Sequence, residues 1–351
     1  MSEHFIKEID IKDYKLFKDF KAEGFGRVNL IGGKNNVGKT AFMEACYLIN
    51  SFKSSYLNND EPEKIYFEII KTFIDIQFNR YANDFLIDWI LDNYSLNNFS
   101  NFCIFTDNYK LSAKENIIDF EPKKETIYTQ ELEIINTKKE GSFKLFEHQN
   151  NKYFYKLRDK NKSLPNIDNF CFLSSCNNSQ FNIRKLLSKI KKLDKNELVN
   201  KYLQNIFGVN KIDLTDTEVI LFKNNKPYNF AEFGDGIKSF INIILTLLYS
   251  KNRVIFIDEI ENGIHYTNFD KLWEIILTLS KEQNVQVFAT THSYELINSF
   301  NKNQKKDSDT FYFELYINKK NKNIKEFKEM RLLDFEQLEY ELKHTRRFRG
   351  E

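Results

Sequence analysis

"IGGKNNVGKT", residues Ile31 to Thr40, decides how the rest of the chain is read. Within it, Gly33-Lys34-Asn35-Asn36-Val37-Gly38-Lys39-Thr40 fits the spacing G-x-x-x-x-G-K-[ST]. Glycine at both ends lets successive backbone N–H groups turn inward as a nest, and a helix starting at Lys39 aims the positive end of its dipole at the same point. Such a loop holds phosphate oxygens. Lys39 would reach the β and γ phosphates of ATP, and the Thr40 hydroxyl would coordinate Mg²⁺. The flanks are the ones this geometry needs. The apolar strand "RVNLI" precedes the loop, and an amphipathic helix follows from Lys39 to about Ser51, with Phe42, Ala45, Cys46 and Ile49 on one face.

Outward from the loop, the N-terminal segment alternates as three strands, the last being "RVNLI". Pro62 to Tyr94 reads as two helical stretches, and Asn101 to Arg158 as short antiparallel hairpins. "NFCFLSS", Asn169 to Ser175, reads as a buried strand, followed by a helix that turns Ile183, Leu186, Leu187 and Ile190 inward. Then come a hairpin at "TEVILFKNNKPYNF", a helix from Gly236 to Ser250, a strand at "RVIFID", a helix from Tyr266 to Ser280, a strand at "VQVFATT" and a helix from Tyr294. Strands alternating with helices of this length predict a mostly parallel sheet covered on both faces. Residues 1–52 and 169–351 are therefore expected to form one discontinuous nucleotide-binding α/β core. Residues 53–168 would be a helical insertion plus an antiparallel β lobe.

Three later stretches carry further chemistry. Four apolar residues, Val254 to Ile257, deliver Asp258 and Glu259 to a strand end, where Asp258 can meet Mg²⁺ and Glu259 can polarise a water. Alone, an apolar strand ending in two acids is commonplace. "VFATTHS" sets His292 just beyond another buried strand, where a neutral imidazole could touch a γ-phosphate; a structural histidine is the plainer reading of that residue by itself. Gly234-Asp235-Gly236 opens a helix, either as a second anion nest or as a simple turn capped by Asp235.

Composition narrows the rest. The net charge of +2 over 351 residues creates no overall field for nucleic acid or membrane, so any such contact must be a local patch. The helix read from Arg184 to Lys201, with Arg184, Lys185, Lys189, Lys191, Lys192 and Lys195, and the tail "KHTRRFRG" are the two candidates; both also read as solvated surface. No leader or long apolar run stands out, which predicts a cytoplasmic protein without a membrane segment. Four scattered cysteines, Cys46, Cys103, Cys171 and Cys176, form neither a disulfide framework nor a zinc site, and read as small buried hydrophobes.

Taken together, these motifs resemble the ABC-type ATPase heads of the SMC/RecF/OLD group (OLD for overcoming lysogenisation defect), and most of all the stand-alone bacterial AAA-family ATP-binding proteins, many tied to phage defence. The resemblance covers the first 52 residues and Phe230 to Ser299. It implies a P-loop ABC-ATPase head in which Gly33 to Thr40 is the Walker A loop, Asp258 and Glu259 the Walker B pair and His292 the H-loop histidine. Gly234-Asp235-Gly236 would stand at the signature position, contacting the γ-phosphate held by a second subunit, with Asn262-Gly263-Ile264-His265 at the dimer interface. Gly234 replaces the signature serine of transporters, leaving backbone amides there. Gln180 is the candidate Q-loop glutamine. The fifty or so residues after Ser299 are too few for the Toprim nuclease of OLD enzymes, and no heptad arms are present. The expected function is an Mg²⁺-dependent ATPase switch that dimerises head-to-tail and works with a separate effector in phage defence or DNA maintenance. The alternatives are a DNA-stimulated ATPase and a non-hydrolysing ATP-dependent scaffold.

Overall fold

A computed structural model describes residues 5–58, 102–106, 109–120, 125–136, 141–148, 152–157, 171–173, 180–215, 218–304, 309–318 and 327–344. The two helical stretches expected between Pro62 and Tyr94 lie outside the described residues, as does Cys176.

The least polar strands make the central sheet. β3 (Val28–Gly32), β13 (Val254–Ile257) and β14 (Gln286–Thr290) are buried at every position, as strands covered on both faces must be. The sheet order is β16 (Phe327–Leu333), β15 (Thr310–Asn318), β3, β14, β13, β9 (Cys171–Leu173). Every neighbouring pair from β15 to β9 is parallel, and β16 alone runs antiparallel on its edge. Side chains alternate between two cores. Phe256 and Phe288 stack on one face of the sheet, their centroids 5.6 Å apart, under α1 (Lys39–Asn58). Ile255, Ile257, Val287 and Ala289 point to the other face. The predicted stripe of α1, Phe42, Ala45, Cys46 and Ile49, is fully buried on the first of these.

The second core gathers α2 (Gln180–Lys192), α3 (Asn196–Phe207), α4 (Asp235–Tyr249), α5 (Phe269–Glu282), α6 (Tyr294–Asn303) and α7 (Phe335–His344). The single helix expected from Arg184 to Lys201 is two helices. The apolar stripe of Ile183, Leu187 and Ile190 would continue onto Asp194, which instead takes a left-handed φ of 54° and turns the chain so that Val199 and Leu203 face the same core. A hairpin beside them, β10 (Val209–Leu214), β11 (Val219–Lys223) and β12 (Lys226–Asn229), turns β11 into β12 through Asn224 and Asn225, both at positive φ as a tight right-twisted hairpin requires.

The antiparallel lobe is a seven-stranded sheet in the order β2 (Phe17–Glu23), β1 (Glu8–Tyr14), β4 (Phe102–Thr106), β5 (Tyr109–Phe120), β6 (Glu125–Asn136), β7 (Gly141–His148), β8 (Lys152–Leu157). The hairpins expected from Asn101 onward are therefore present. The first two strands of the chain do not continue into the parallel sheet with β3. They pair with each other and, through β1, with β4, so the N-terminal hairpin belongs by hydrogen bonding to the lobe. It still packs Ile9, Ile11, Phe17 and Phe20 into the α1 core. Among the described residues no helix is long and apolar enough to cross a membrane. The expected class, a P-loop α/β fold with a mostly parallel sheet and an antiparallel β lobe, is the one adopted.

Candidate functional site

The Gly33–Thr40 loop leaves β3 through a place no side chain could occupy. Gly33 has φ 139°, and a Cβ there would lie 2.3 Å from the Leu315 carbonyl oxygen of the neighbouring strand β15. Lys34, Asn35 and Asn36 are exposed; Val37 and Gly38 turn back inward. The β1–β2 turn lies on the loop: the Phe17 ring stands 3.2 Å, and Leu16 3.6 Å, from where a Gly38 Cβ would be. Lys15 in that turn is ion-paired with Glu44 of α1.

Lys39, the first residue of α1, is only 5% exposed. Its ammonium donates to the carbonyls of Gly33 at 2.8 Å and Lys34 at 2.9 Å and lies 3.1 Å from His292 Nδ1. Burial pulls its pKa down from 10.5 to about 8, against the attraction of Asp258, Glu261 and Glu259. Thr40 Oγ1 donates to Asp258 Oδ2 at 2.9 Å, while the other oxygen of Asp258 accepts from Thr290 Oγ1 at 2.5 Å. The Thr290 hydroxyl in turn accepts from the Glu259 backbone N–H at 2.8 Å.

β13 ends in a sharp bend. Glu259 takes φ 51°, which swings its side chain out of the sheet to 44% exposure. One carboxylate oxygen accepts from Asn262 Nδ2 at 2.6 Å; the other lies 4.0 Å from His292 Nε2. Burial and the Lys39 charge both lower the His292 pKa, so the ring is neutral near pH 7. With Lys39 donating to Nδ1, the ring proton is assigned to Nε2, which makes that edge a donor facing Glu259. Glu261 accepts from the His292 backbone N–H at 2.6 Å, and burial raises its pKa.

Lys39, Thr40, Asp258, Glu259 and His292 thus meet at the C-terminal ends of β3, β13 and β14, the side on which open parallel sheets present ligand crevices. Gly234-Asp235-Gly236 does not enter this cluster. It opens α4 with Gly234, not Asp235, at the N-cap, and without a side-chain cap. A Cβ on Gly236 would lie 2.6 Å from the Gly263 carbonyl oxygen, whereas one on Gly234 would have open space around it. Gln180 opens α2, and residues 174–179 lie outside the described residues. Sequence reasoning passed over Thr290 and Glu261. Their signals were faint: a second threonine ahead of His292, and a third acid two residues after Glu259.

The donor set suits Mg²⁺. Among the described residues no group of three or more His, Cys, Asp or Glu side chains could cage a metal. Two oxygens, Thr40 Oγ1 and Asp258 Oδ2, lie 2.9 Å apart beside the Gly33–Thr40 loop. Mg²⁺ is held in this way, by one or two protein oxygens with phosphate and water completing its shell.

The basic side chains of α2 and the turn after it are partly committed within the chain. Lys191 pairs with Asp213, Lys195 donates to the Leu248 carbonyl at 2.7 Å and to Gln283 at 2.8 Å, and Lys189 stacks over the Tyr249 ring.

A family model described as "AAA domain, putative AbiEii toxin, Type IV TA system" matches residues 28–298. The chain is 27% identical to an "ATP/GTP phosphatase" of Helicobacter pylori over 326 residues, spanning 83% of this chain and 86% of that protein. It is 31% identical over 86 residues to the DNA replication and repair protein RecF of Clostridioides difficile, a match covering 24% of this chain and 23% of RecF. In structure it is similar to the SMC head domain from Thermotoga maritima, at TM-score 0.46 and 12% identity, over 94% of this chain and 99% of that one.

Proposed function

Because the chain belongs to that AAA-domain family, an ATPase family of the ABC type and the SMC/RecF group, we propose that it binds ATP with Mg²⁺ at Gly33–Thr40, hydrolyses it, and uses the cycle to switch its own assembly. One observation carries the reading: the Lys39 ammonium, the Thr40–Asp258 oxygen pair, the Glu259 carboxylate and the His292 imidazole are linked within one crevice. Three stretches far apart in sequence, residues 39–40, 258–259 and 292, bring these groups together.

Each residue has a task its geometry allows. Lys39 exchanges its two carbonyl partners for phosphate oxygens, which favour its charged form above the pKa of about 8 that it has without them. Thr40 and Asp258 hold Mg²⁺, which when bound neutralises charge on the transferring phosphate. The Glu259 oxygen not held by Asn262 orients the attacking water. His292, with its proton on Nε2, donates a hydrogen bond without adding charge. The name of the Helicobacter pylori relative supports turnover and makes GTP a second nucleotide to assay.

The switch follows from Gly234 to Gly236. These backbone amides lie at the N-terminus of α4, where its dipole favours an anion. Two copies closing head-to-tail would set this turn on the γ-phosphate of the opposite copy. A separate effector, in phage defence or DNA maintenance, would read the closed state. Direct action on DNA is the weaker reading, because Lys189, Lys191 and Lys195 already have partners in the chain.

Glu259→Gln keeps the shape of the side chain and loses the charge that orients water, so turnover should fall by roughly 10²–10⁴ while binding survives. Light scattering with ATP and Mg²⁺ should then show this variant as a dimer or larger. Adding Gly234→Arg, at the position where a side chain has room, should abolish the shift. An assembly state that ignores ATP in Glu259→Gln overturns the switch; a wild type with no turnover overturns the ATPase.

A further inference from the structure

We propose that Asn262 is a positioning residue for Glu259, and that it ties the carboxylate's orientation to the Gly234–Gly236 end of α4 in the same chain. The inference rests on the ATPase reading above and deepens it. Asn262 closes the bend after β13: its backbone N–H donates to the Glu259 carbonyl at 2.9 Å, and its side-chain amide returns to the Glu259 carboxylate at 2.6 Å. Glu259 itself is half-exposed on a left-handed backbone, a long side chain with several rotamers open to it. Only one of its oxygens faces His292, and the amide holds the other. Asn262 therefore selects which oxygen is presented to a water in the crevice.

The other end of Asn262 is fastened to α4. Its carbonyl accepts from Ser239 Oγ at 3.2 Å, one turn into that helix. The next residue, Gly263, at φ 74°, lies so close to the helix start that its carbonyl oxygen would be 2.6 Å from a Gly236 Cβ, while a Cβ of its own would be 3.1 Å from Asp235 Cβ. Backbone against backbone at this distance leaves no soft side chain to absorb a shift. Movement of the α4 N-terminus is passed to residues 262–263, and from Asn262 to the carboxylate. An anion engaged at Gly234–Gly236 would in this way be felt by the chain's own Glu259, through contacts separate from the Lys39 loop.

The test measures steady-state ATP hydrolysis and equilibrium binding of a fluorescent ATP analogue for the full chain, its Glu259→Gln variant, and substitutions at Asn262 and Ser239. Asn262→Ala should lower kcat by about 10- to 100-fold, the range a displaced reacting group commands, with KM within about twofold of wild type. Asn262→Asp is the discriminating change. If Asn262 only shaped the bend, Asp would be the milder replacement, since Asp and Asn serve turns alike. As a clamp on a carboxylate it must be the worse one, because a second negative charge repels Glu259. Asn262→Ala combined with Glu259→Gln should be no slower than Glu259→Gln alone, since the clamp acts only through the charge that is gone. Ser239→Ala should lower kcat several-fold with ATP binding unchanged. Should the Asn262 variants fail to bind the analogue, Ser239→Ala decides alone, and a wild-type kcat there overturns the link. Asp milder than Ala, or additive losses in the double variant, refutes the clamp while the ATPase reading stands. A wild type without turnover sinks both together.

Discussion

Replacing Thr290 with Val removes one oxygen from the centre of the site and tests how Asp258 is held. Thr290 is fully buried, and its hydroxyl makes two bonds, donating to Asp258 Oδ1 at 2.5 Å and accepting from the Glu259 N–H at 2.8 Å. Val keeps the branched shape and strand preference of Thr, so packing in β14 changes little. Loss of a hydrogen bond to a charged group costs about 1.5–3 kcal/mol, and an orphaned buried N–H adds about 1 kcal/mol. The extra buried methyl offsets up to about 1 kcal/mol, leaving a net cost of about 2–3 kcal/mol. For a chain of this size that is a fall of about 3–4 °C in Tm by scanning calorimetry or fluorimetry. Thr290→Ser, which keeps the hydroxyl, should lose less than half as much. A Thr290→Val protein melting within about 1 °C of wild type would mean that Asp258 is not restrained through this hydroxyl.

Lys39→Ala should leave a folded protein whose affinity for ATP, by equilibrium dialysis, is at least about tenfold weaker, because the loop loses its one buried cation; unchanged affinity would locate the phosphate elsewhere. Lys39 also sets a pH dependence. Between its folded pKa of about 8 and its ordinary 10.5, the folded chain has shed a proton that the unfolded chain retains, so this residue's contribution to stability rises with pH across that window. Bound phosphate favours the charged form, so ATP affinity should run the other way, weakening by up to about tenfold per unit above pH 8, with proton uptake on binding measurable by calorimetry in two buffers; a flat profile from pH 7 to 9.5 contradicts this. Gly236→Ala must push a Cβ toward the Gly263 carbonyl and should cost about 1–3 kcal/mol in urea unfolding, whereas Gly234→Ala should be neutral within about 0.5 kcal/mol. Equal effects at the two glycines would remove the basis for choosing Gly234 as the probe of assembly. Lys191→Glu sets a carboxylate against Asp213 and should lower stability by about 1 kcal/mol whatever it does to nucleic-acid affinity; a variant as stable as wild type would return Lys191 to the pool of free surface charge.

The phosphate loop, the acids after β13 and His292 were legible because each is written in local spacing: a glycine interval, an apolar run with a polar end, a strand followed by a turn. The alternation of strands and helices after residue 169 likewise gave the parallel sheet. What escaped depends on partners distant in sequence. β1 alternates in the same way whether it joins β3 or β4, and nothing local says that "CIF" at residues 103–105 will claim it. Thr290 looks like any strand terminus until Asp258 stands beside it. The break at Leu193–Lys195 has no Gly or Pro to announce it; it comes from a left-handed Asp194 and from two apolar stripes needing the same core. β15, β16 and α7, beyond the last motif, offered no chemistry to attract the eye, although β15 is the strand that packs against Gly33.

The pairing of β1 with β4 makes the lobe and the Gly33–Thr40 loop next-door neighbours. Its strands form one uninterrupted ladder from β8 to β2, and the turn joining β1 to β2 rests on Gly38 and grips α1 through Lys15 and Glu44. The β2 edge of the lobe is thus joined by continuous pairing to β8 at the other edge, six strands away. The β1–β2 end is where the phosphates would lie. The same sheet that ends at β8 therefore reaches, through the β1–β2 turn, the Gly33–Thr40 loop itself.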